Sequence, residues 1–226
     1  VEEMLLLNHP LDCPICDKAG ECTLQNYYME HDLQNGRQDF TRFKKEKAKD
    51  IGPTLVLDQE RCVLCDRCVR FLRDVAGEEQ LYIAGRGHEA FITTFPGQDV
   101  TSPYSINTVD LCPVGALTAA PYRFKARPWD LDQVESTCTS CSVGCRIVVQ
   151  SSRNRVLRYE GVDNDAVNWG WLCDKGRFDF EAVNSDDRLG EPLVRDEGLS
   201  LKASTWSDAL RRAVRDRGDR WIGLTR

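Results

Sequence analysis

Apolar residues occur along this chain in short stretches, and the longest uninterrupted one, Met4–Leu7, is a single helical turn. Segments whose apolar residues recur at helical spacing favour helices, and they alternate with brief runs of β-branched and aromatic residues, which favour strands. The predicted helices lie before Pro10 and at Glu21–Asp32, Cys65–Val75, Pro113–Ala120, from about Cys173 onward, and at Thr205–Arg217. The predicted strands are Pro53–Leu57, Leu81–Ile83, Ala90–Thr94, Arg146–Gln150, Val156–Tyr159, the Leu193–Leu201 hairpin around Asp196–Gly198, and Trp221–Leu224. This mixture predicts the α+β class.

Local capping and turn signals support several of these elements. Pro113 suits the first position of a helix, and Asp58 can cap the turn that precedes a group of cysteines. Thr205 and Asp208 resemble a capping box at the start of the last helix. The residues Ser152–Arg155 lie between two strand-like stretches and predict the turn of a hairpin.

Shifts in composition predict four domains, covering residues 1–48, 49–129, 130–187 and 188–226. Lys44–Lys49 is a charged connector with a solvated face, and the alternative is a binding site for an acidic partner. Asp130–Glu135 is polar and follows Pro128, which predicts a domain boundary there. The strand Trp221–Leu224 predicts the start of an α/β domain. Because the chain begins with Val1, we expect a fragment or a processed product.

Composition narrows the class of protein. The 226 residues are 41% hydrophobic and 29% charged, as in soluble globular proteins. A formal net charge of −6 argues against nucleic acid as a partner, because a phosphate backbone needs a basic face. No apolar run approaches the roughly 18 residues of a membrane span, and no signal peptide is expected.

The 11 cysteines carry most of the chemical information. An odd number cannot pair completely within the chain, and the residues fall into tight groups. A small secreted disulfide scaffold would be shorter and would carry a signal peptide. We therefore expect a reducing compartment, with thiolates held for metal.

The first group has the spacing His9-x3-Cys13-x2-Cys16-x5-Cys22. A C-x2-C step lets two thiolates converge on one metal site from a single turn of chain, and Gly20 allows a reversal before Cys22. An isolated histidine at a helix end more often caps carbonyl groups. However, three cysteines lack a fourth ligand, and His9 is the histidine nearest in sequence, so we predict that it is a ligand. His31 and His88 are predicted to be ordinary structural or surface residues.

The second group is Cys62-x2-Cys65-x2-Cys68 with a distant Cys112-Pro113. The bacterial ferredoxin run is C-x2-C-x2-C-x3-C-P, in which the fourth cysteine ligates the other of two clusters. The positions that would hold the ligands of that other cluster carry Leu72, Ser102, Ser105 and Thr108. The pattern predicts a two-cluster ferredoxin domain that retains one cluster. A zinc ribbon would require two separated C-x2-C pairs and fits less well.

The third group is Cys138-x2-Cys141-x3-Cys145-x27-Cys173. Taken alone, this spacing also suits zinc. With it, the 11 cysteines and His9 form three sets of four with no cysteine left over. We therefore predict three 4Fe-4S clusters, and mixed zinc and cluster occupancy remains the alternative.

Three segments resemble the family of large cluster-bearing G subunits of bacterial NADH:quinone oxidoreductases, the counterparts of a large mitochondrial subunit. They are Leu7–Asp17, Glu60–Arg70 and Asp110–Leu117. The third cysteine group resembles the small cluster domain at the head of molybdopterin oxidoreductases. NAD-linked formate dehydrogenase and iron-only hydrogenase share the first motif, but they usually keep both ferredoxin clusters. The resemblance covers nearly the whole chain and is weakest after about residue 188.

The resemblance implies ferredoxin-like iron–sulfur domains, a molybdopterin-oxidoreductase-type cluster domain and the truncated start of an α/β domain. It implies that electrons from NADH reach a flavin on a partner subunit and pass through clusters towards quinone. The implied partners are other peripheral-arm subunits, and the implied location is the cytoplasmic side of a bacterial inner membrane. No residue need act as an acid, base or nucleophile. Four arginines near the second group are predicted to offset cluster charge: Arg61, Arg67, Arg70 and Arg73.

Two other classes are less compatible with these residues. A catalytic molybdenum or tungsten oxidoreductase would need the rest of the pterin domain and an active-site cysteine or selenocysteine. A zinc-stabilised interaction module would be colourless, whereas an iron–sulfur protein is brown.

Overall fold

The computed structural model describes residues 1–31, 35–196 and 200–216. These residues form two compact units, Val1–Glu181 and Ala182–Arg226, as far as the second is described. All 11 cysteines and His9 lie in the first unit. Each unit is considered separately below.

The helices and strands are short, as the pattern of apolar residues predicts. The helices are α1 Glu2–Leu6, α2 Thr23–His31, α3 Arg67–Arg70, α4 Asn107–Leu111, α5 Asp174–Phe178, α6 Phe180–Asn184 and α7 Trp206–Asp216. The strands are β1 Lys49–Asp50, β2 Leu55–Leu57, β3 Tyr82–Ala84, β4 Phe91–Thr93, β5 Leu117–Ala119, β6 Asp132–Thr137, β7 Arg146–Ser152, β8 Arg155–Gly161, β9 Leu193–Arg195 and β10 Leu201–Ala203. Single 3-10 turns lie at Cys13–Ile15, Gly87–Glu89 and Pro128–Asp130.

The first unit contains three antiparallel sheets, ordered β1-β2-β5, β3-β4 and β6-β7-β8. Strands β2 and β5 are buried along their whole length, and Leu57 pairs with Leu117. Burial on both faces explains why these three-residue strands form, since the core covers both sides. The hairpin β7–β8 turns at Arg153 and Asn154, both at positive φ, as its sequence predicts.

Two apolar cores support the cysteine groups. The larger one is built on fully buried side chains such as Leu55, Leu57, Leu72 and Ile92, and it packs against Cys62 and Cys68. The smaller one consists of Cys138, Ile147 and Leu172, with Cys145, Val149 and Tyr159 against it. The cysteines therefore lie at the edges of packed cores, which hold their backbone in place.

The predicted helix Pro113–Ala120 is wrong. The helix of this region, α4, ends at Leu111 before the cysteine, and residues 117–119 form strand β5. The residue before a proline is disfavoured from helical geometry, and Cys112 is extended at φ −70° and ψ 118°. Pairing of β5 with the buried strand β2 outweighs the local signal from Pro113.

Two further segments differ from the sequence-based expectation. The polar stretch at Asp130–Glu135 contributes to β6, whose largely exposed side chains suit an edge strand on β7. The helix predicted from Cys65 begins at Arg67, because Asp66 adopts left-handed geometry at φ 63°, and it continues as a π-helical turn at Phe71–Val75. The four predicted domain boundaries stay a prediction.

In the second unit, β9 and β10 form the predicted antiparallel hairpin. Helix α7 begins with the predicted cap, because the Asp208 amide donates to Thr205 Oγ1 at 3.1 Å. The expectations for Asp32, residues 197–198, Arg217 and Trp221–Leu224 lie outside the described residues. Within the described ranges, no helix is both long enough and apolar enough to cross a membrane.

Candidate metal centres

The first ligand group surrounds one small cavity, whose lining includes His9, Cys13, Cys16 and Cys22. A 3-10 turn at Cys13–Ile15 brings the first two cysteines together, and Gly20 provides the reversal before Cys22 at φ +96°. Cys16 and Cys22 are buried, whereas Cys13 is exposed. The structure thus places all four predicted residues around a single space.

His9 has the properties that a metal ligand requires. Burial, assisted by the charge of Arg61, lowers the pKa of the imidazole, which favours the neutral form that binds metal. Its Nδ1 atom is buried and has no hydrogen-bond partner among the described residues. Buried polar atoms are nearly always paired, so this nitrogen is suited to a bond with a bound group. The helix-end capping alternative is not supported at this atom.

The second ligand group surrounds a separate small cavity, whose lining includes Cys62, Cys65, Cys68 and Cys112. Other walls of this cavity are apolar, for example Leu57 and Ile92. Burial raises the pKa of Cys62 to about 11 and that of Cys68 to about 12, and the neighbouring thiols add to both shifts. Buried thiols this close together favour a bound metal centre, because metal ligation stabilises the thiolate form.

The third ligand group is held by the smaller core. The Cys138 amide donates to the Cys145 carbonyl at 2.8 Å, and the thiol of Cys173 caps α5 by accepting from the Gly176 amide at 3.4 Å. A Cβ atom on Gly176 would lie 3.0 Å from Cys138 Sγ and 3.5 Å from Cys173 Sγ. Burial raises the pKa of Cys145, and the nearby thiols of Cys138, Cys173 and Cys141 raise it further.

The donor chemistry fits iron–sulfur clusters. All 11 cysteines are free thiols, and sets of four thiolates, or three with one imidazole, are the donors that such clusters use. Among the described residues, no three ligand-type side chains are arranged for a single metal ion. That observation concerns one ion, because a four-iron cluster takes each protein ligand on a different iron atom.

The positions at which a two-cluster ferredoxin would hold its other cluster form a closed structure here. Leu72 and the three hydroxyl residues at 102, 105 and 108 are buried. The carboxylate of Asp174 accepts from the Ser105 amide at 3.1 Å, the Ser105 hydroxyl at 2.7 Å and the Ile106 amide at 3.1 Å. Thr108 donates to the Ser105 carbonyl at 2.6 Å. Asp174, which follows the ligand candidate Cys173, therefore accepts the hydrogen bonds that this loop donates.

Arg61 corrects one sequence-based expectation, because its side chain lines the first cavity. Its guanidinium donates to Asp12 and lies against Asp58. Arg67 does line the second cavity. The other two arginines pair with Asp66 and Asp74 at the surface instead.

The connector Lys44–Lys49 is also more than a solvated face. Lys47 lies 2.5 Å from Asp12 and 2.7 Å from Glu60, and Lys45 donates to the Ala90 carbonyl at 2.5 Å. Asp58 accepts from the Glu60 and Arg61 amides at 3.1 and 3.3 Å, which confirms its predicted capping role. Lys47 thus fastens the connector to carboxylates beside the first cavity, and Lys45 fastens it to the backbone at Ala90.

The first and second ligand groups are directly adjacent. The Thr23 amide, which follows Cys22, donates to the carbonyl of Pro113 at 3.1 Å. A Cβ atom on Gly115 would lie 2.1 Å from Cys16 Sγ, so only glycine fits between the Cys112 loop and the first site. Sequence reasoning missed Gly115 and Asp174, since spacing along the chain contains no signal for contacts between distant segments.

The fold and these donor sets define an iron–sulfur protein with 4Fe-4S-binding domains of ferredoxin-like and molybdopterin-oxidoreductase type. Three family models match in succession. They are the NADH-ubiquinone oxidoreductase-G iron-sulfur binding region at residues 1–37, the NADH-quinone oxidoreductase subunit 3 ferredoxin-like domain at 52–118, and the molybdopterin oxidoreductase Fe4S4 domain at 131–185. The chain belongs to the family of NADH-quinone oxidoreductase G subunits.

Two relatives and one solved structure illustrate the similarity. The G subunit of NADH-quinone oxidoreductase from Streptomyces coelicolor is 44% identical over 214 residues, which are 95% of this chain and 25% of that protein. Subunit 3 of the Thermus thermophilus enzyme is 40% identical over 98% of this chain and 30% of its own length. A crystal structure of NAD+-reducing [NiFe]-hydrogenase is 32% identical, with a TM-score of 0.49, over 55% of this chain and 54% of that one. The chain thus spans about a quarter to a third of the curated relatives.

Proposed function

We propose that this chain is the iron–sulfur part of a subunit of NADH:quinone oxidoreductase. It relays electrons, which NADH delivers to a flavin on a partner subunit, towards quinone. The observation that carries this proposal is the arrangement of 11 cysteines and His9 as three sets of four, with no cysteine left over. The subunit names of the relatives agree with this role.

The proposed cofactors are three 4Fe-4S clusters. Their ligands are His9, Cys13, Cys16 and Cys22; Cys62, Cys65, Cys68 and Cys112; and Cys138, Cys141, Cys145 and Cys173. Clusters bound at the first two sites would supply one-electron transfer. The protein supplies the donors, fixes the distance between sites and excludes water from the second site with apolar walls. The contact between Thr23 and Pro113 supports the first two sites as consecutive relays.

The proposed partners are other peripheral-arm subunits of the complex, including the subunit that binds NADH and flavin. The proposed location is the cytoplasmic face of a bacterial inner membrane, where the chain would be a peripheral component. Catalysis of the overall reaction belongs to the whole complex. No side chain of this chain is proposed to act as an acid, base or nucleophile.

Metal analysis tests the cofactor assignment. Anaerobically purified protein should contain about twelve iron atoms for these three sites, with little zinc, because each of three sets binds four irons. Its visible spectrum should be brown, and EPR of the reduced protein should resolve cluster signals. About eight irons with one tightly held zinc would contradict the three-cluster assignment, and the Cys138 site would then be the expected holder of the zinc, because its spacing also suits that metal.

A further inference from the structure

The side chain of Arg61 is an unusual buried cation, since only 5% of it is exposed. Its Nε and Nη2 atoms donate to Asp12 Oδ2 at 3.2 and 3.0 Å, and Nε also lies 3.3 Å from Asp58 Oδ2. These two carboxylates thus pair with Nε and Nη2 of the guanidinium. The remaining nitrogen, Nη1, is buried and has no hydrogen-bond partner among the described residues.

A buried guanidinium N–H without an acceptor costs on the order of 1–3 kcal/mol, and more for a charged group, so native structures rarely keep one. The first cavity offers few other acceptors. Asp12 Oδ2 already accepts from the same guanidinium, and the side-chain Oε1 of Gln25 accepts from the Gly20 amide at 3.0 Å. His9 Nδ1, which also lacks a partner, is assigned to the metal, so the sulfur atoms are the side-chain acceptors left for Nη1 among the residues that line this cavity.

The position of Arg61 relative to Cys16 supports this assignment. A Cβ atom on Gly115 would meet Cys16 Sγ at 2.1 Å and Arg61 Cδ at 3.7 Å, so the thiol and the arginine stem flank the same point. Although Arg61 immediately precedes a ligand of the second site in sequence, its side chain lines the first cavity. The backbone and side chain of this residue thus belong to different sites.

We propose that Arg61 donates a hydrogen bond through Nη1 to a sulfur at the site formed by His9, Cys13, Cys16 and Cys22. This inference rests on the proposed cluster at that site. Reduction adds a negative charge, and a fixed buried cation that donates to sulfur stabilises the reduced state. Arg61 therefore raises the reduction potential of this cluster above the value it would have without the arginine. Asp12 and Asp58 act through Arg61 by holding its guanidinium in place.

A redox titration of the full-length protein within its complex, followed by EPR, tests the proposal. Arg61→Lys keeps the charge but lacks the third donor of the fork, and we expect the His9-site potential to fall while the second cluster is unchanged. Arg67→Lys is the matched control, because Arg67 lines the second cavity; it should leave the His9-site potential unaltered. An unchanged His9-site potential in Arg61→Lys, or an equal fall in Arg67→Lys, overturns the role of Arg61.

A second measurement remains decisive if Arg61→Lys loses its cluster. In wild-type protein labelled with ¹⁵N at the arginine guanidinium, pulsed EPR of the reduced His9-site cluster should show a weak ¹⁵N coupling. Arg67→Lys should retain that coupling. If this ¹⁵N coupling is absent in wild-type protein with intact clusters, the proposed hydrogen bond is wrong, while the proposed function is unaffected. Absence of any cluster at the His9 site would overturn both this inference and the proposed function.

Discussion

At the residue scale, His9 is the ligand whose assignment is most open to test. Its buried, unpartnered Nδ1 and lowered pKa suit a bond to iron. We expect His9→Ala to remove one cluster signal from the EPR spectrum, since three thiolates would remain. His9→Cys should keep a cluster at lower potential, because a thiolate adds negative charge. The control is His88→Ala, whose ring packs edge-on against Phe43; an unchanged spectrum in His9→Ala would exclude His9 as a ligand.

Gly115 is the second residue with a local and testable role. A methyl group at this position would overlap Cys16 Sγ at 2.1 Å, which neither side can relieve while Cys16 binds a cluster. We expect Gly115→Ala to lose the His9-site cluster, lowering the iron content by about four atoms. Gly36→Ala is the matched control, because nothing lies within 4 Å of its added carbon. Full iron content in Gly115→Ala would show that the loop can move aside.

At the scale of elements, the beginning of α5 is fastened by hydrogen bonds to the loop of residues 102–108. Three donors of residues 105–106 converge on the Asp174 carboxylate, and the Asn107 side chain exchanges hydrogen bonds with the Leu172 backbone at 2.9 and 3.0 Å. Arg177 adds an ion pair with Asp110 at 2.6 Å. We call this set of hydrogen bonds and the ion pair the polar interlock; it lies at the positions where a two-cluster ferredoxin would bind its other cluster.

Replacing Asp174 tests this interlock. Asp174→Ala leaves the buried donors of Ser105 and Ile106 unsatisfied, and we expect a destabilisation of roughly 2–4 kcal/mol. Thermal unfolding of the metal-loaded protein should show it, together with weaker retention of the third cluster. The control is Asp165→Ala in an exposed loop. A melting temperature equal to that of the control would mean that the interlock contributes little.

At the scale of the whole first unit, the third ligand group is joined to the others by polar contacts. Arg158 of β8 makes a bidentate pair with Glu21 at 3.0 and 2.7 Å, and its guanidinium lies 4.3 Å from the Tyr122 ring centre. Its side chain is only 13% exposed. These contacts suit a structural role for the third cluster, which would stabilise short hairpins that bury little apolar surface.

We therefore predict that the third cluster lies off the electron route. Substituting Cys141 and Cys173 with Ser should lower the assembly or thermal stability of the complex, while NADH-to-quinone turnover per assembled complex stays near normal. Cys65→Ser, at the second site, is the comparison and should slow turnover. Slow transfer in fully assembled complex carrying the Cys141 and Cys173 changes would place the third cluster on the route.

The sequence by itself determined the grouping of the ligands, because each group is built from local steps such as C-x2-C whose geometry depends on few neighbouring bonds. It also determined the β7–β8 hairpin and the Thr205 cap, which depend on contacts within a few residues. Tertiary structure alone decided the strand at Leu117–Ala119, because its partner β2 lies about sixty residues earlier. It likewise decided that the Arg61 side chain lines the first cavity, that Gly115 leaves room for Cys16, and that Asp174 binds the loop at Ser105. These contacts join segments that are far apart in the sequence, so the pattern of residues along the chain does not reveal them.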